Sequence, residues 1–274
     1  MGRRSCQMAR GCASDRRSSW STADPEATTT RTSSPISVAW PTRRQVVYLD
    51  LRGHGRSARH DPADWSFELC ADDLRAFCDA VGIVKPIVLG HSMGGFVAML
   101  YGARHPGHAG GLILQSTMAR HDLGRLVEGF RRFGGDEVAE LARRDYGGDP
   151  VTDEDWTKVF AAFGPKVPSE NELARRIRNP ELGTAGMELM RTFDVVDDLR
   201  RITSPTLVCV GELDAVTPVA ASVEIAEALR DGVGRLEVIE RAGHFPWLDA
   251  PDWYFSTVRA FVATAGGPSR ETAV

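Results

Sequence analysis

A serine set between glycines, in Gly90-His91-Ser92-Met93-Gly94-Gly95, is the arrangement in this chain best suited to nucleophilic chemistry. The pattern G-x-S-x-G takes its meaning from its neighbours. PIVLGH (86–91) reads as a strand buried on both faces, and FVAMLYGARH (96–105) as a helix. A serine on so tight a strand-to-helix turn presents its hydroxyl at the carboxyl edge of a sheet, and only small residues at 90 and 94 allow so close a backbone approach. The N-terminus of the next helix favours a developing anion, with the Met93 N–H as one oxyanion donor. A hydroxyl is a weak nucleophile and needs a base oriented by an acid. Asp214, in GELDAVTP, follows the strand TLVCVG (206–211), and His244, in RAGHFPW, follows the strand RLEVIE (235–240). Both therefore fall on loops at the edge that carries Ser92.

Other residues compete for these roles. His91 adjoins the serine but points away from it on the turn. His54 and His60 lie in an early loop, and His105, His108 and His121 follow a helix or begin a charged segment. Glu212, Asp194 and Asp197 rival Asp214 as the acid.

The elements that must position these groups alternate. VVYLD (46–50) reads as a strand closed by the turn-rich RGHGRS, and Ser66 can cap a helix running to Val81. GLILQS (111–116) is a further strand, Pro218 to Arg230 a helix, and Asp252 to Ala263 a last helix. Strands alternating with helices predict an α/β fold with a doubly wound, mainly parallel sheet. Residues 119–192 break the alternation with LVEGFRRF, EVAELARRDY, WTKVFAAF and ELARRI, and are expected to form an inserted helical lid. The expected division is an aberrant or disordered segment over 1–44, core over 45–118, lid over 119–192, core over 193–266, and a flexible tail over 267–274.

Composition narrows the functional classes. The 274 residues are 42% hydrophobic and 26% charged, with a formal net charge of −4, as in ordinary globular proteins. This excludes a collagen, a coiled-coil rod and a wholly disordered chain. No run approaches the roughly 18 apolar residues of a membrane span, and the mild acidity gives no footprint for nucleic acid. Five cysteines, Cys6, Cys12, Cys70, Cys78 and Cys209, lack metal-ligand or CxxC spacing. They read as reduced thiols in a cytoplasmic protein that takes a small-molecule substrate and needs no cofactor or metal.

Taken together, DLRGHGRS (50–57), GHSMGG (90–95), GELDAVTP (211–218) and AGHFPWLDAP (242–251) resemble the α/β-hydrolase superfamily, in its group of small lidded serine hydrolases. The resemblance covers about residues 45 to 265. It implies that Ser92, His244 and Asp214 are nucleophile, base and orienting acid, and that Asp50, Arg52 and Ser57 shape the base of the site or serve structure alone. It does not choose among esterase, lactonase, C–C hydrolase and aminopeptidase chemistry. The serine argues against the dehalogenases and epoxide hydrolases of this fold, which use aspartate. Trp156, Phe160, Phe163, Met187 and Met190 are candidates to line an acyl pocket or to dock the lid.

Residues 1–45 do not match the rest: eight Arg, three acids, fourteen Ser or Thr, and no periodic apolar run. A disordered tail and an Arg-rich transit peptide are two readings. A third comes from what is missing, because an oxyanion hole needs a second donor from the loop after an earlier strand, and no such strand is legible here. Read one frame away, RSSWS (17–21) permits NTC, NTC, NTG and GTC, an apolar run ending in Val. STADPEA (21–27) then permits His-Gly-Gly-Pro-Gly-Gly. Residues up to about 42 are thus expected to be a frameshift product. The permitted HGGPG is similar to the oxyanion turn of the proline iminopeptidase-like branch, although GHSMGG and RGHGRS depart from its GQSWGG and RGCGRS. That branch binds a free amine with lid carboxylates, for which Glu170, Glu172, Glu181 and Glu188 are candidates. The reading is a serine hydrolase of an ester, amide or lactone, against a catalytically inactive relative lacking the oxyanion strand.

Overall fold

Parallel strands, the central ones buried on both faces, organise the molecule, and alternation along each strand sends neighbours to opposite layers. The computed structural model describes residues 18–22 and 45–265. Six strands form one sheet: β1 (Ser18–Thr22), β2 (Gln45–Tyr48), β3 (Ile87–His91), β4 (Gly111–Gln115), β5 (Thr206–Gly211) and β6 (Gly234–Ile239). Their order is β2-β1-β3-β4-β5-β6, and every pairing is parallel. Val88, Leu112, Leu114 and Val208 face one core layer. Ile87, Leu89, Ile113, Leu207 and Cys209 face the other.

Helices α1 (Phe67–Val81) and α2 (Met93–Arg104) cover the first layer. Ser66 caps α1 by accepting from Leu69 N–H, and Gly82 closes it with φ 70°. Between β4 and β5 the chain inserts α3 (Leu123–Gly147), α4 (Asp153–Ala161), α5 (Glu170–Leu173) and α6 (Pro180–Arg191). After β5 come α7 (Val219–Ala228), α8 (Pro246–Asp249) and α9 (Pro251–Ala265). On α9, Tyr254, Phe255, Val258 and Phe261 recur at helical spacing and close the second layer. Burying each such side chain is worth about 1.5–3 kcal/mol.

Three differences from the sequence reading have physical causes. Ser18–Thr22 is a strand, although none was legible before residue 45, because backbone pairing to β2 on one side and β3 on the other defines it. A hydrophobic pattern could not have shown SSWST as a strand. The early strand ends at Tyr48 rather than Asp50, since the Asp50 carboxylate accepts from the Arg56 N–H at 3.0 Å and turns the chain. ELARRI yields only the short α5, because the chain after it is tied elsewhere: Asn179 Nδ2 donates to Gly53 O at 3.0 Å. The codons proposed for HGGPG, and the rest of segments 1–17 and 23–44, lie outside the described residues, as does the tail from 266. Among the described residues no helix is long and apolar enough to cross a membrane.

Candidate active site

The turn from β3 into α2 carries Ser92 at φ 53° and ψ −127°, a region side-chain-bearing residues seldom occupy. The surroundings hold it there. Ser92 N–H donates to Gln115 O at 3.0 Å, while Ser92 O accepts from Gly95 N–H at 2.8 Å and from Thr117 Oγ1 at 2.8 Å. A Cβ on Gly90 would lie 2.3 Å from Gly94 O, and one on Gly95 2.3 Å from Thr117 Oγ1. The close approach expected at 90 is therefore present, and the glycine at 95 is required as well. Met93 is the first residue of α2, so its N–H has no acceptor within the helix. Thr22, the last residue of β1, pairs with Gly90.

Asp214 and His244 sit on the loops after β5 and β6, both buried. The Asp214 carboxylate is filled with donors: Val216 N–H at 3.0 Å, Thr217 N–H at 2.9 Å, Thr217 Oγ1 at 2.9 Å and His244 Nδ1 at 3.0 Å. Donation by Nδ1–H fixes the imidazole tautomer and leaves Nε2 as the basic atom. Ser92, Met93 and His244 line one pocket.

Two further contacts set the position of His244, and neither was legible in the sequence. Its N–H donates to Phe163 O at 2.9 Å, from the loop after α4, and the Phe163 ring meets the imidazole edge-on at 5.4 Å. Gly164 makes this approach possible, because a Cβ there would lie 2.6 Å from Gly243 Cα. On the other side His91 Nε2 donates to His244 O at 2.9 Å, with the ring centroids 4.8 Å apart. The His91 ring therefore lies in the site and does not point clear of it. Burial, followed by the charges of His244 and Arg176, holds His91 well below the usual histidine range. It is thus a neutral donor. A histidine flanking the serine was the only signal for it, and adjacency alone says nothing of direction.

The pocket holds roughly 960 Å³ of empty space, part of it open to solvent. Trp156, Phe160, Phe163, Met187 and Met190 all line it, with Phe96, Met118 and Phe245. Glu170, Glu172, Glu181 and Glu188 do not line it. Glu172 instead closes a capping box, accepting from Ser169 N–H at 2.8 Å. Of the rival histidines, His54 Nδ1 meets Arg52 O, His105 meets Asp72 and His108 meets Tyr101, and neither His60 nor His121 lines the pocket. Of the rival acids, Glu212 accepts from Arg241 N–H and Asp194 from Val196 N–H. Asp50, Arg52 and Ser57 hold the loop after β2. Arg52 grips Asp73 with two bonds of 2.7 Å, and Ser57 Oγ donates to Asp50 O at 2.6 Å.

Residues 33–251 match the family described as alpha/beta hydrolase fold. The chain is 27% identical over 231 residues to the proline iminopeptidase PfmaB of Pestalotiopsis fici, covering 79% of this chain and 80% of that one. It is 27% identical over 240 residues to a pimeloyl-[acyl-carrier protein] methyl ester esterase of Neisseria meningitidis, covering 83% and 85%. Among solved structures, a proline iminopeptidase from Mycobacterium smegmatis superposes with a TM-score of 0.74 at 21% identity, covering 91% of this chain and 90% of that one. Fold, turn geometry and family match agree, and the chain belongs to the alpha/beta hydrolase fold family.

Proposed function

We propose that the chain is a serine hydrolase acting on an ester, amide or lactone of a small, largely apolar acyl group. One observation carries this reading: the strained turn that presents Ser92 and the Asp214-oriented His244 open into one apolar pocket. Ser92 Oγ attacks the carbonyl carbon while His244 Nε2 takes the hydroxyl proton, and the carbonyl π electrons move onto oxygen facing the Met93 N–H. Collapse of that intermediate expels the leaving group, which takes the proton from His244. Water then attacks the acyl-enzyme, giving its proton to His244, and the acid leaves as Ser92 regains a proton. Asp214 fixes the imidazole and stabilises its charged form. Residues 119–192 act as the lid. The location we favour is cytoplasmic, in keeping with the free buried thiols of Cys70, Cys78 and Cys209.

The pocket lining favours an acyl donor over an aminopeptidase substrate. A free N-terminal ammonium needs a carboxylate partner when it is removed from water, and among the described residues lining the pocket none is acidic. The test is labelling of the purified chain with a fluorophosphonate probe, mapped by peptide mass spectrometry. Labelling confined to Ser92 and abolished in Ser92→Ala supports the reading. A folded, monodisperse sample that does not label would favour the inactive relative instead.

A further inference from the structure

The Asp214 carboxylate meets His244 with both of its oxygens, each 3.0 Å from Nδ1. A carboxylate turns easily about its last torsion, where the energy wells are broad, so this two-oxygen approach has to be held. Oδ1 is held by the chain itself, accepting from the N–H groups of Val216 at 3.0 Å and Thr217 at 2.9 Å. An aspartate makes such a turn with the residues that follow it, and the turn asks nothing of their side chains. Oδ2 is held differently. Among the described residues its one donor besides His244 is the Thr217 hydroxyl, at 2.9 Å.

The surroundings of Thr217 favour that bond. The residue is 2% exposed, and a hydroxyl so deeply buried is costly without a partner. Branching at Cβ stiffens its side chain, and Pro218 behind it narrows its backbone to extended shapes. The turn is also clamped from the insertion. A Cβ on Gly129 of α3 would lie 2.4 Å from Ala215 O and 2.8 Å from Pro218 Cγ, so α3 seats directly on both flanks of the turn. Thr217 lines the pocket together with Val216, and a valine in its place would keep the shape of that wall while losing the hydroxyl.

We infer that Thr217 is a positioning residue for the hydrolysis: its hydroxyl fixes the plane of the Asp214 carboxylate and, through it, the direction of the His244 imidazole. The inference rests on the serine hydrolase reading and adds to it a residue that acts through Asp214 rather than on the substrate.

Substitutions at Thr217 separate hydroxyl from shape, with kcat/KM for methyl hexanoate as the readout. Thr217→Val keeps the shape and loses the bond, and should lower kcat/KM about 10- to 100-fold, as the loss of a hydrogen bond to a charged group does. Thr217→Ser loses the methyl and keeps the bond, and should retain most of the activity. A role in packing alone predicts the reverse order, valine above serine. Thr217→Ala and Thr217→Ser differ by the hydroxyl alone, and carry the same comparison if the valine variant does not fold. In Asp214→Asn the added Thr217→Val should cost little further, because the carboxylate it orients is gone. A readout independent of turnover is the hydrogen-bonded imidazole N–H proton resonance that disappears in His244→Gln. It should persist in Thr217→Ser and broaden by solvent exchange in Thr217→Val. Parental kcat/KM in the valine variant, serine below valine, or the full loss repeated in Asp214→Asn overturns the inference. If no methyl hexanoate is cleaved in a Ser92-dependent way, the serine hydrolase reading fails, and the resonance then decides the role of Thr217: unchanged in Thr217→Val, it overturns that role as well.

Discussion

Gly164 is where the helical insertion touches His244, the base of the proposed mechanism, and replacing it with alanine tests whether that contact matters. A Cβ at this position would lie 2.6 Å from Gly243 Cα and 3.2 Å from His244 N, against about 3.4 Å for ordinary contact. Both neighbours are backbone, so relief requires the two loops to part by about 0.8 Å, the difference between those contacts. The bond from His244 N–H to Phe163 O, now 2.9 Å, would then stretch to about 3.7 Å and be lost. A misplacement approaching 1 Å of a catalytic group costs about a hundredfold in rate, or about 2.7 kcal/mol of transition-state stabilisation. Gly164→Ala should therefore lower kcat/KM for methyl hexanoate about 30- to 100-fold. The backbone at Gly164 is not in the left-handed region, so the alanine adds no torsional strain, and thermal unfolding should stay within a few degrees of the parent. A variant with parental kcat/KM would show that the insertion does not position His244.

Other consequences are open to test. Burial pushes the Cys70 and Cys209 thiols up to about 12 and Cys78 to about 11; at pH 8 iodoacetamide should leave all three unmodified in the native chain and alkylate them in urea, and native alkylation near the rate of a free thiol would refute their burial. His91 is held below the ordinary histidine value, so as pH falls below about 6.5 the unfolded chain gains a proton that the folded chain refuses. Stability complete above that pH should then decline by up to about 1.4 kcal/mol per pH unit for this group, beside smaller contributions from His108 and His121, which shift the same way. His91→Asn should shrink the difference between urea titrations at pH 7.5 and 5.5, and an unchanged difference would exclude His91 as its source. On the frameshift proposal, the alternate frame of residues 17–42 permits an apolar run in place of β1 and an HGGPG sequence after it. Rewriting the chain in that frame should raise the Ser92 labelling rate about 10²- to 10³-fold, as a restored oxyanion donor does; no increase, or coding DNA whose alternate frame holds stop codons, ends that idea.

What the sequence makes legible is what local chemistry enforces. β3, β4 and β5 are buried on both faces, so their apolar runs declare them. Gly90 and Ser92 declare the turn because the backbone there tolerates few alternatives. Asp214 and His244 follow strands whose parallel pairing sends both loops to one edge. The aromatic and methionine residues of the insertion could be named as pocket or docking residues, yet only their packing shows that all five line the pocket. The rest depends on contacts between distant segments. Gly164 against Gly243 and Asn179 against Gly53 join loops about 80 and 126 positions apart, and no periodicity encodes them. β1 escapes notice because SSWST carries one apolar residue, and its partners rather than its pattern make it a strand.

The most direct test of the central claim is rapid mixing with excess p-nitrophenyl hexanoate, followed by an acid quench and peptide mapping. The account predicts a burst of p-nitrophenol close to one equivalent per active site and a hexanoyl group on the peptide at Ser92. Both should be absent from Ser92→Ala, and acylation should be slowed by about 10⁴-fold in Asp214→Asn, where the imidazole loses its orienting carboxylate. Hydrolysis with no acyl adduct, or with the adduct on another residue, would contradict it.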